Sequence, residues 1–367
     1  ETNENNYLRY YKKLFGNSSK DLLKSLSNAS KILPFFTLVH GVSASNNSYW
    51  PEMYENMSIV EKAPHLPYSY DLHKPSRFGM STSQDPNLIM SPINLANCIY
   101  NKKNINRYSP ITMANWFNEF ANNAKKNLLK AIKIIKIRND PELLRLEIDI
   151  NILIGIGKFF SYKIKSACYW ELFLKEKKYS LGYKSLQFYK KSYFAWSKIA
   201  KISKQYYLKD LTYGPQSWLR GRWDDRLPAI KDDIIKMTNI LNKTSKKINK
   251  KYDVFELGAW NNNQIFCIKH LIEKKNKDSI KFIFKDLDKI YGQLFINYRL
   301  VDQSKKWERE KINSLKNSFI FTKFNKFLKQ KYPIQYYFEL SKNRYSYFCP
   351  GINKNLSNQP YYIYSNE

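Results

Sequence analysis

One apolar helix constrains this chain more than any other feature of its sequence. Residues 140–177 carry apolar side chains with helical spacing, and between residues 143 and 174 these cover nearly the whole circumference. Such a helix would be about 57 Å long at 1.5 Å per residue. Because it is apolar on all sides, it must be surrounded by other helices. Gly155 and Gly157 would each cost about 1 kcal/mol inside it, so we expect close helix contact or a kink there.

Further helical patterns supply the neighbours that this helix needs. From Thr112 onward, apolar residues recur at steps of three and four after a Ser109-Pro110 start signal. Residues 181–207 and 225–250 show the same period, and two short helices are predicted at 6–15 and 19–36. The middle of the chain is therefore predicted to be an antiparallel multi-helix bundle.

The loop between the last two long helices has an unusual composition. Residues 213–233 read YGPQSWLRGRWDDRLPAIKDD and hold three arginines, in a chain whose basic residues are mostly lysine. A planar guanidinium can bind a carboxylate through two parallel hydrogen bonds, which lysine cannot do. Asp224 and Asp225 are the local carboxylates. We predict a set of buried structural contacts between two helices. The alternative is a ligand site in which Trp218 or Trp223 stacks on a sugar or a base.

The last part of the chain changes its period from helix to strand. Strands are predicted at 280–284, 294–301, 319–321, 334–340 and 361–364, separated by turn residues. Short strands with turns between them predict a small antiparallel β-sandwich. The fold class is thus mainly α, a multi-helix bundle followed by a β-sandwich. The predicted domains are a junction region at 1–92, the bundle at 93–252, a linker at 253–276 and the sandwich at 277–367.

Charge and motif content restrict the function without identifying it. The chain has 62 basic and 31 acidic residues, a net charge of +31. A+T-rich codons would produce many lysines without any anionic partner, and we favour that explanation because the lysines are spread along the chain. The alternative is a basic, aromatic-rich protein that binds nucleic acid; a third reading is a scaffold without a ligand. Four scattered cysteines and four histidines predict neither a metal site nor a cofactor, and no apolar run is long enough to span a membrane.

Four segments resemble the C-terminal part of large secreted bacterial glycoside hydrolase-like proteins, which are related to hexosaminidase and α-glucuronidase barrels. They are ASKILPFFTLVHGVSASNNSYWPEMYENM, the helical region that ends in YGPQSWLRGRWDDRLPAIKDD, YRLVDQSKKWE, and PIQYYFEL with the closing PG…NLSNQPYYIY. The resemblance implies an immunoglobulin-like sandwich, and a catalytic barrel that would precede the helical region. It also implies an extracellular or periplasmic location, although no signal-peptide pattern is present at Glu1, and the start without Met suggests a processed or truncated chain. Residues 1–92 would be the end of that barrel, which a partner chain or another part of the protein would complete.

The resemblance therefore implies an accessory part of a carbohydrate-active enzyme that is inactive alone. Glu52 in SYWPEMY is the best candidate for a catalytic carboxylate, because aromatic neighbours could raise the pKa of a carboxyl group as a general acid requires. The alternative is that Glu52 bridges a domain junction. The predicted sugar-binding residues are Asn46, Asn47, Tyr49, Trp50, Trp218, Arg220, Arg222, Trp223, Asp224 and Asp225.

Overall fold

The computed structural model describes residues 4–41, 50–54, 57–62, 76–135, 140–214, 217–244, 266, 268–276, 279–285, 291–302, 304–313, 318–321, 332–343, 345–353, 355–356 and 358–365. The chain divides into two compact units. The first comprises residues 1–101 and 109–261, and the second comprises residues 102–108 and 262–367. No helix in the described ranges is both long enough and apolar enough to cross a membrane.

The first unit is built from α-helices. In chain order they are α1 (Glu4–Phe15), α2 (Ser19–Ala29), α3 (Ile32–Val39), α4 (Pro92–Tyr100), α5 (Pro110–Ile134), α6 (Pro141–Glu176), α7 (Tyr179–Tyr206) and α8 (Leu227–Asn242). Helices α5, α6 and α7 pack in succession, and α2 packs on α5. The mainly helical class with a following β-sandwich is confirmed.

Capping residues explain where the long helices begin. Ser109 accepts a hydrogen bond from the backbone N–H of Ile111, and Asp140 accepts one from Leu143 at 2.8 Å. A proline follows each of these caps, at the first helical position, where its missing N–H has no cost. Helix α6 ends at Lys177, which adopts a left-handed conformation. These local signals set the observed boundaries within a few residues of the predicted ones.

The glycines of α6 mark close helix contacts, as expected. A Cβ atom on Gly155 would lie 2.4 Å from Cγ1 of Ile199 on α7. A Cβ atom on Gly157 would lie 2.9 Å from Cδ1 of Ile32 and 3.2 Å from the Cβ atom of Ala121. The missing side chains therefore let α6 approach helices on two of its sides.

Helices from the first part of the chain pack on the long helices. Helices α2 and α3 lie within the predicted junction region at 1–92, and they pack on α5 and α6 and belong to the same unit. Their apolar residues lie in the core, with Leu22, Phe35 and Phe36 fully buried. The predicted helix at 19–36 is two helices, α2 and α3. Helix α4 was not predicted, because its short sequence shows little apolar period.

The second unit is a sandwich of two antiparallel sheets. The larger sheet has the order β10 (Tyr362–Tyr364), β8 (Ile334–Lys342), β5 (Gln293–Leu300) and β6 (Glu308–Lys311), and β9 (Tyr345–Cys349) also pairs with β8. The smaller sheet has the order β3 (Lys269–Asn276), β4 (Ser279–Lys285) and β7 (Ser318–Phe321). Phe282, Phe284, Ile296, Tyr336 and Phe338 belong to the core cluster to which both sheets contribute.

Three strands of the sandwich, β3, β6 and β9, were not predicted from the sequence, and the first two have a common explanation. Strand β3 lies within the predicted linker at 253–276, and no strand was predicted at the position of β6. Both are rich in charged residues, and both stand at the edge of a sheet. Edge strands tolerate charged side chains because one of their sides has no neighbouring strand. They therefore lack the apolar alternation by which a strand is recognised.

Candidate functional site

Glu52 lies in a buried cluster of four charged residues inside the first unit. Its carboxylate accepts hydrogen bonds from Lys163 at 2.8 and 2.6 Å, and from Arg226 at 3.2 and 2.9 Å. The side chains of Glu52 and Lys163 are fully buried, and that of Arg226 is 6% exposed. The fourth member, Asp233, is 4% exposed. We call these four residues the buried charge cluster; its two carboxylates balance its two cations.

The ammonium of Lys163 has hydrogen-bond acceptors for all of its hydrogens. Its ammonium also donates to the backbone carbonyl of Met57 at 2.7 Å, so all three of its hydrogens have acceptors. The same ammonium lies 4.5 Å from the ring centroid of Phe78 and 5.5 Å from that of Phe159. A buried ammonium needs this complete set of partners because its desolvation is costly.

Asp233 fastens an irregular segment to helix α8. Its carboxylate accepts from the backbone N–H of Ile59 at 3.0 Å, from the Tyr189 hydroxyl at 3.1 Å and from the Ser58 hydroxyl. Burial raises the pKa of Tyr189 well above its ordinary value, and the neighbouring charges of Asp233 and Glu52 raise it further. Tyr189 therefore acts as a neutral hydrogen-bond donor.

Glu171, a carboxylate on α6, holds the irregular segment at residues 76–80. Arg77 binds Glu171 through two hydrogen bonds of 2.7 Å each, and the Glu171 side chain is 2% exposed. A Cβ atom on Gly79 would lie 2.6 Å from Oε1 of Glu171, so no larger residue fits there without displacing this pair. Residues 50–54, 57–62 and 76–80 are thus held against α6 and α8 through carboxylates.

The arginine-rich stretch is a set of ion pairs, as the sequence predicted. Arg222 donates to Asp224 at 2.6 and 3.1 Å, and through its other nitrogen to the backbone carbonyl of Tyr207 at 3.2 Å, just after the end of α7. The hydrogen bond from Arg222 lowers the pKa of Asp224. Arg220 binds Asp210 through two hydrogen bonds of 2.9 Å on the exposed surface.

Aromatic rings pack around Trp223, beneath this stretch. The ring of Trp223 is 5.0 Å from that of Trp50 and 5.1 Å from that of Tyr207, and its backbone carbonyl accepts from the indole N–H of Trp196 at 2.8 Å. Asp225 accepts from the backbone N–H of Arg222 at 2.7 Å. These contacts are the ones expected where a loop makes buried structural contacts between two helices.

The structure places the predicted site residues in three groups. Glu52 is in the buried charge cluster, and Trp50, Arg222, Trp223, Asp224 and Asp225 are close to one another around Trp223. Trp218 is 73% exposed, and Arg220 lies on the short hairpin of β1 (Leu211–Thr212) and β2 (Arg220–Gly221). Asn46, Asn47 and Tyr49 lie outside the described residues.

The predicted surroundings of Glu52 were wrong in one respect. Ring faces were expected around its carboxylate, but the structure surrounds it with two cations instead. Glu52 also has a left-handed backbone, with φ of 69°, which costs on the order of 1 kcal/mol in a residue other than glycine. An enclosed carboxylate with two charged partners suits a fastening role. Catalysis by Glu52 stays a prediction that none of these contacts tests.

The sequence did not reveal that Lys163 pairs with Glu52 or that Glu171 pairs with Arg77, although a signal for buried ion pairs exists. Lys163 and Glu171 are charged residues within the all-round apolar part of α6. Charged residues at buried positions need partners of opposite charge. This reasoning predicts that partners exist, but it does not say where in the chain they lie. No group of three or more residues that could hold a metal ion occurs among the described His, Cys, Asp and Glu residues.

Comparison with known proteins relates this fold to a solved glycoside hydrolase. No protein-family model and no curated protein matches the chain. Among solved structures, a GH138 enzyme targeting pectin rhamnogalacturonan II is 17% identical, with a TM-score of 0.50. The alignment covers 66% of this chain and 36% of that enzyme. The chain therefore spans about a third of the enzyme's length, and at this identity the likeness shows the fold.

Proposed function

We propose that this chain is an accessory part of a carbohydrate-active, glycoside hydrolase-like protein. In this role it supports or completes a sugar-binding site, and a barrel elsewhere in the protein or in a partner chain carries the catalytic machinery. The observation that supports this proposal is the fold shared with the GH138 enzyme, whose matched part is 36% of its length. An extracellular or periplasmic location is part of the same proposal.

The enclosure of Glu52 supports an accessory role. A general acid must reach the oxygen of the glycosidic bond, and a retaining or inverting enzyme needs a second carboxylate about 5–9.5 Å away with space for sugar between them. Glu52 has no exposed surface, and both of its oxygens are bound by Lys163. We assign Glu52 to the junction between segment 50–54 and the helices.

Among the residues that the structure describes, Trp218 is the best candidate for a sugar contact. Its indole is 73% exposed next to strand β2. Arg220 on that strand is held by Asp210 and by the Thr212 hydroxyl at 2.9 Å. An exposed indole offers a sugar ring a flat apolar face. Asn46, Asn47, Tyr49, Trp50, Arg222, Trp223, Asp224 and Asp225 remain proposed contributors.

The experiment combines hydrolysis with binding. Purified chain is incubated with a panel of aryl glycosides, and calorimetry measures its binding of galacturonate oligomers and of neutral oligosaccharides. We expect no hydrolysis, and weak oligosaccharide binding that Trp218→Ala abolishes. Tyr291→Ala is the matched control, because this aromatic residue is 76% exposed in the other unit.

Two outcomes would overturn the proposal. Hydrolysis that Glu52→Gln abolishes, in a variant with an unchanged far-UV circular dichroism spectrum, would make Glu52 catalytic. Absence of binding to every oligosaccharide would leave the chain as a scaffold without a ligand.

A further inference from the structure

A groove lined by lysines lies on the first unit between α6 and α7. Its volume is about 540 Å³, and α5 contributes one residue to its rim. Asn151 and Tyr162 lie at the two ends of its α6 side, about 16 Å apart at the rise of an α-helix. Five lysines line it: Lys125, Lys158, Lys190, Lys191 and Lys198. We call it the lysine groove.

The lysine groove is more basic than the chain as a whole. The chain has 62 basic and 31 acidic residues, whereas the twelve residues that line the groove, all of them described, include five lysines and no Asp or Glu. Burial lowers the pKa of Lys158, and the positive charges of Lys125 and Lys165 lower it further. Two amides, those of Asn118 and Asn122, accept from the Lys158 ammonium. Lysines are thus gathered here without a carboxylate among the lining residues.

The floor and one wall of the lysine groove are apolar and aromatic. Ile154, Gly155 and Ala195 form part of the floor. The ring of Phe194 is 61% exposed, and the Lys198 ammonium lies 4.5 Å from its centroid. An exposed ring flanked by cations is a surface on which a flat, apolar face can stack while its anionic groups bind lysine.

We propose that the lysine groove binds single-stranded nucleic acid. A ligand that fits the groove must offer hydrogen-bond acceptors to the lysines, because lysine only donates hydrogen bonds. It also has flat apolar faces for Phe194. Phosphates supply the anionic acceptors and unstacked bases supply the flat faces, whereas a duplex hides the faces of its bases. Sugar hydroxyls also need acceptors, and Asn151 is the sole amide or carboxylate side chain among the lining residues.

Fluorescence anisotropy with a labelled oligothymidylate of about 12 nucleotides tests the proposal over a series of salt concentrations. We expect affinity to fall steeply with salt. Replacing Lys190, Lys191 and Lys198 by Gln is expected to weaken binding about tenfold or more and to reduce the log–log salt slope by about 2, since each lost phosphate contact contributes about 0.7. Phe194→Ala is expected to weaken binding about tenfold with the slope unchanged, because stacking is not a counterion effect.

A matched charge control separates the groove from the overall charge. Replacing Lys12, Lys13 and Lys20 by Gln removes the same charge from exposed positions outside the groove. This control should change affinity less than threefold. All of these side chains are exposed, so each variant should keep the thermal midpoint of the parent protein, and that midpoint is measured alongside.

Three results would overturn the inference. Equal losses in the control and groove variants would show that binding follows net charge alone. Equal affinity for a duplex of the same length, with no effect of Phe194→Ala, would show that bases are not stacked in the groove. A galacturonate oligomer that displaces the labelled oligothymidylate and binds more tightly would assign the groove to an acidic sugar. The Trp218→Ala experiment tests a different site, so its failure would leave the groove result unaffected.

Discussion

The ammonium of Lys163 and the carboxylate of Glu52 form a fully buried ion pair, with distances of 2.8 and 2.6 Å between Nζ and the two carboxylate oxygens. The two residues are 111 positions apart in the chain. This pair joins the longest helix to a turn at residues 50–54 that has no regular structure of its own. Removing one partner would leave the other charge buried with at least half of its hydrogen bonds lost.

Lys163→Met should therefore destabilise the first unit strongly. We expect a loss of about 3–5 kcal/mol in the free energy of unfolding, because a buried carboxylate is left with Arg226 alone. Urea denaturation followed by circular dichroism at 222 nm measures it. Lys236→Met is the control, since Lys236 pairs with Glu61 and Asp232 on the surface and should shift the midpoint far less. Equal shifts in the two variants would contradict the assignment of Lys163.

Arg222→Lys should shorten or loosen the end of α7. A lysine cannot keep two hydrogen bonds to Asp224 while also reaching the carbonyl of Tyr207. We expect a lower urea midpoint than in the parent and increased amide hydrogen exchange in the last turn of α7. Arg220→Lys tests the exposed pair with Asp210 and should have the smaller effect. An unchanged midpoint and unchanged exchange in Arg222→Lys would show that the arginine is dispensable.

Gly155→Ala tests the close contact between α6 and α7. Alanine favours a helix by about 1 kcal/mol over glycine. The new Cβ atom would lie 2.4 Å from Cγ1 of Ile199, and such overpacking costs about 1–3 kcal/mol. We therefore expect net destabilisation of up to about 2 kcal/mol, measured by urea unfolding.

A double-mutant cycle with Ile199→Ala provides the control for Gly155→Ala. Shortening Ile199 removes the obstructing atoms, so Gly155→Ala should become neutral or stabilising in that background. If Gly155→Ala has the same effect in both backgrounds, contact with Ile199 is not the reason for the glycine.

His270 should make the stability of the sandwich depend on pH. Burial lowers the pKa of His270, although a backbone contact at Ile268 opposes this, and its Nε2 lies 2.8 Å from the Tyr336 hydroxyl. Below the ordinary pKa of about 6.5, the unfolded chain binds a proton that the folded chain does not. Stability should therefore be full above about pH 6.5 and should fall as the pH drops below it.

The measurement for His270 is the thermal midpoint of the chain between about pH 7.5 and about pH 5.5, across the ordinary pKa of histidine. His270→Gln should flatten the profile in this window, because glutamine does not titrate. A profile that is equally steep in His270→Gln would assign the pH dependence to other groups.

The sequence by itself determined the kind of element in each region where a local pattern repeats. The apolar period of α6, the Ser-Pro and Asp-Pro starts of α5 and α6, and the buried strands β5 and β8 were all predictable. These features depend on neighbours within a few positions, so they are visible in a single chain. The edge strands β3 and β6 were not predictable. Each pairs with a neighbour on one side only, so it tolerates charged residues and lacks the apolar alternation that marks a strand.

Tertiary structure alone decided which charged residues meet. The sequence indicated that the arginines near Trp223 need carboxylates, and Arg222 uses the local one, Asp224. Arg226 instead binds Glu52, 174 positions away, where Lys163 also converges. A buried charge must find a partner, but any carboxylate satisfies that requirement. Only the packing of α6 and α8 against residues 50–54 and 57–62 makes the choice.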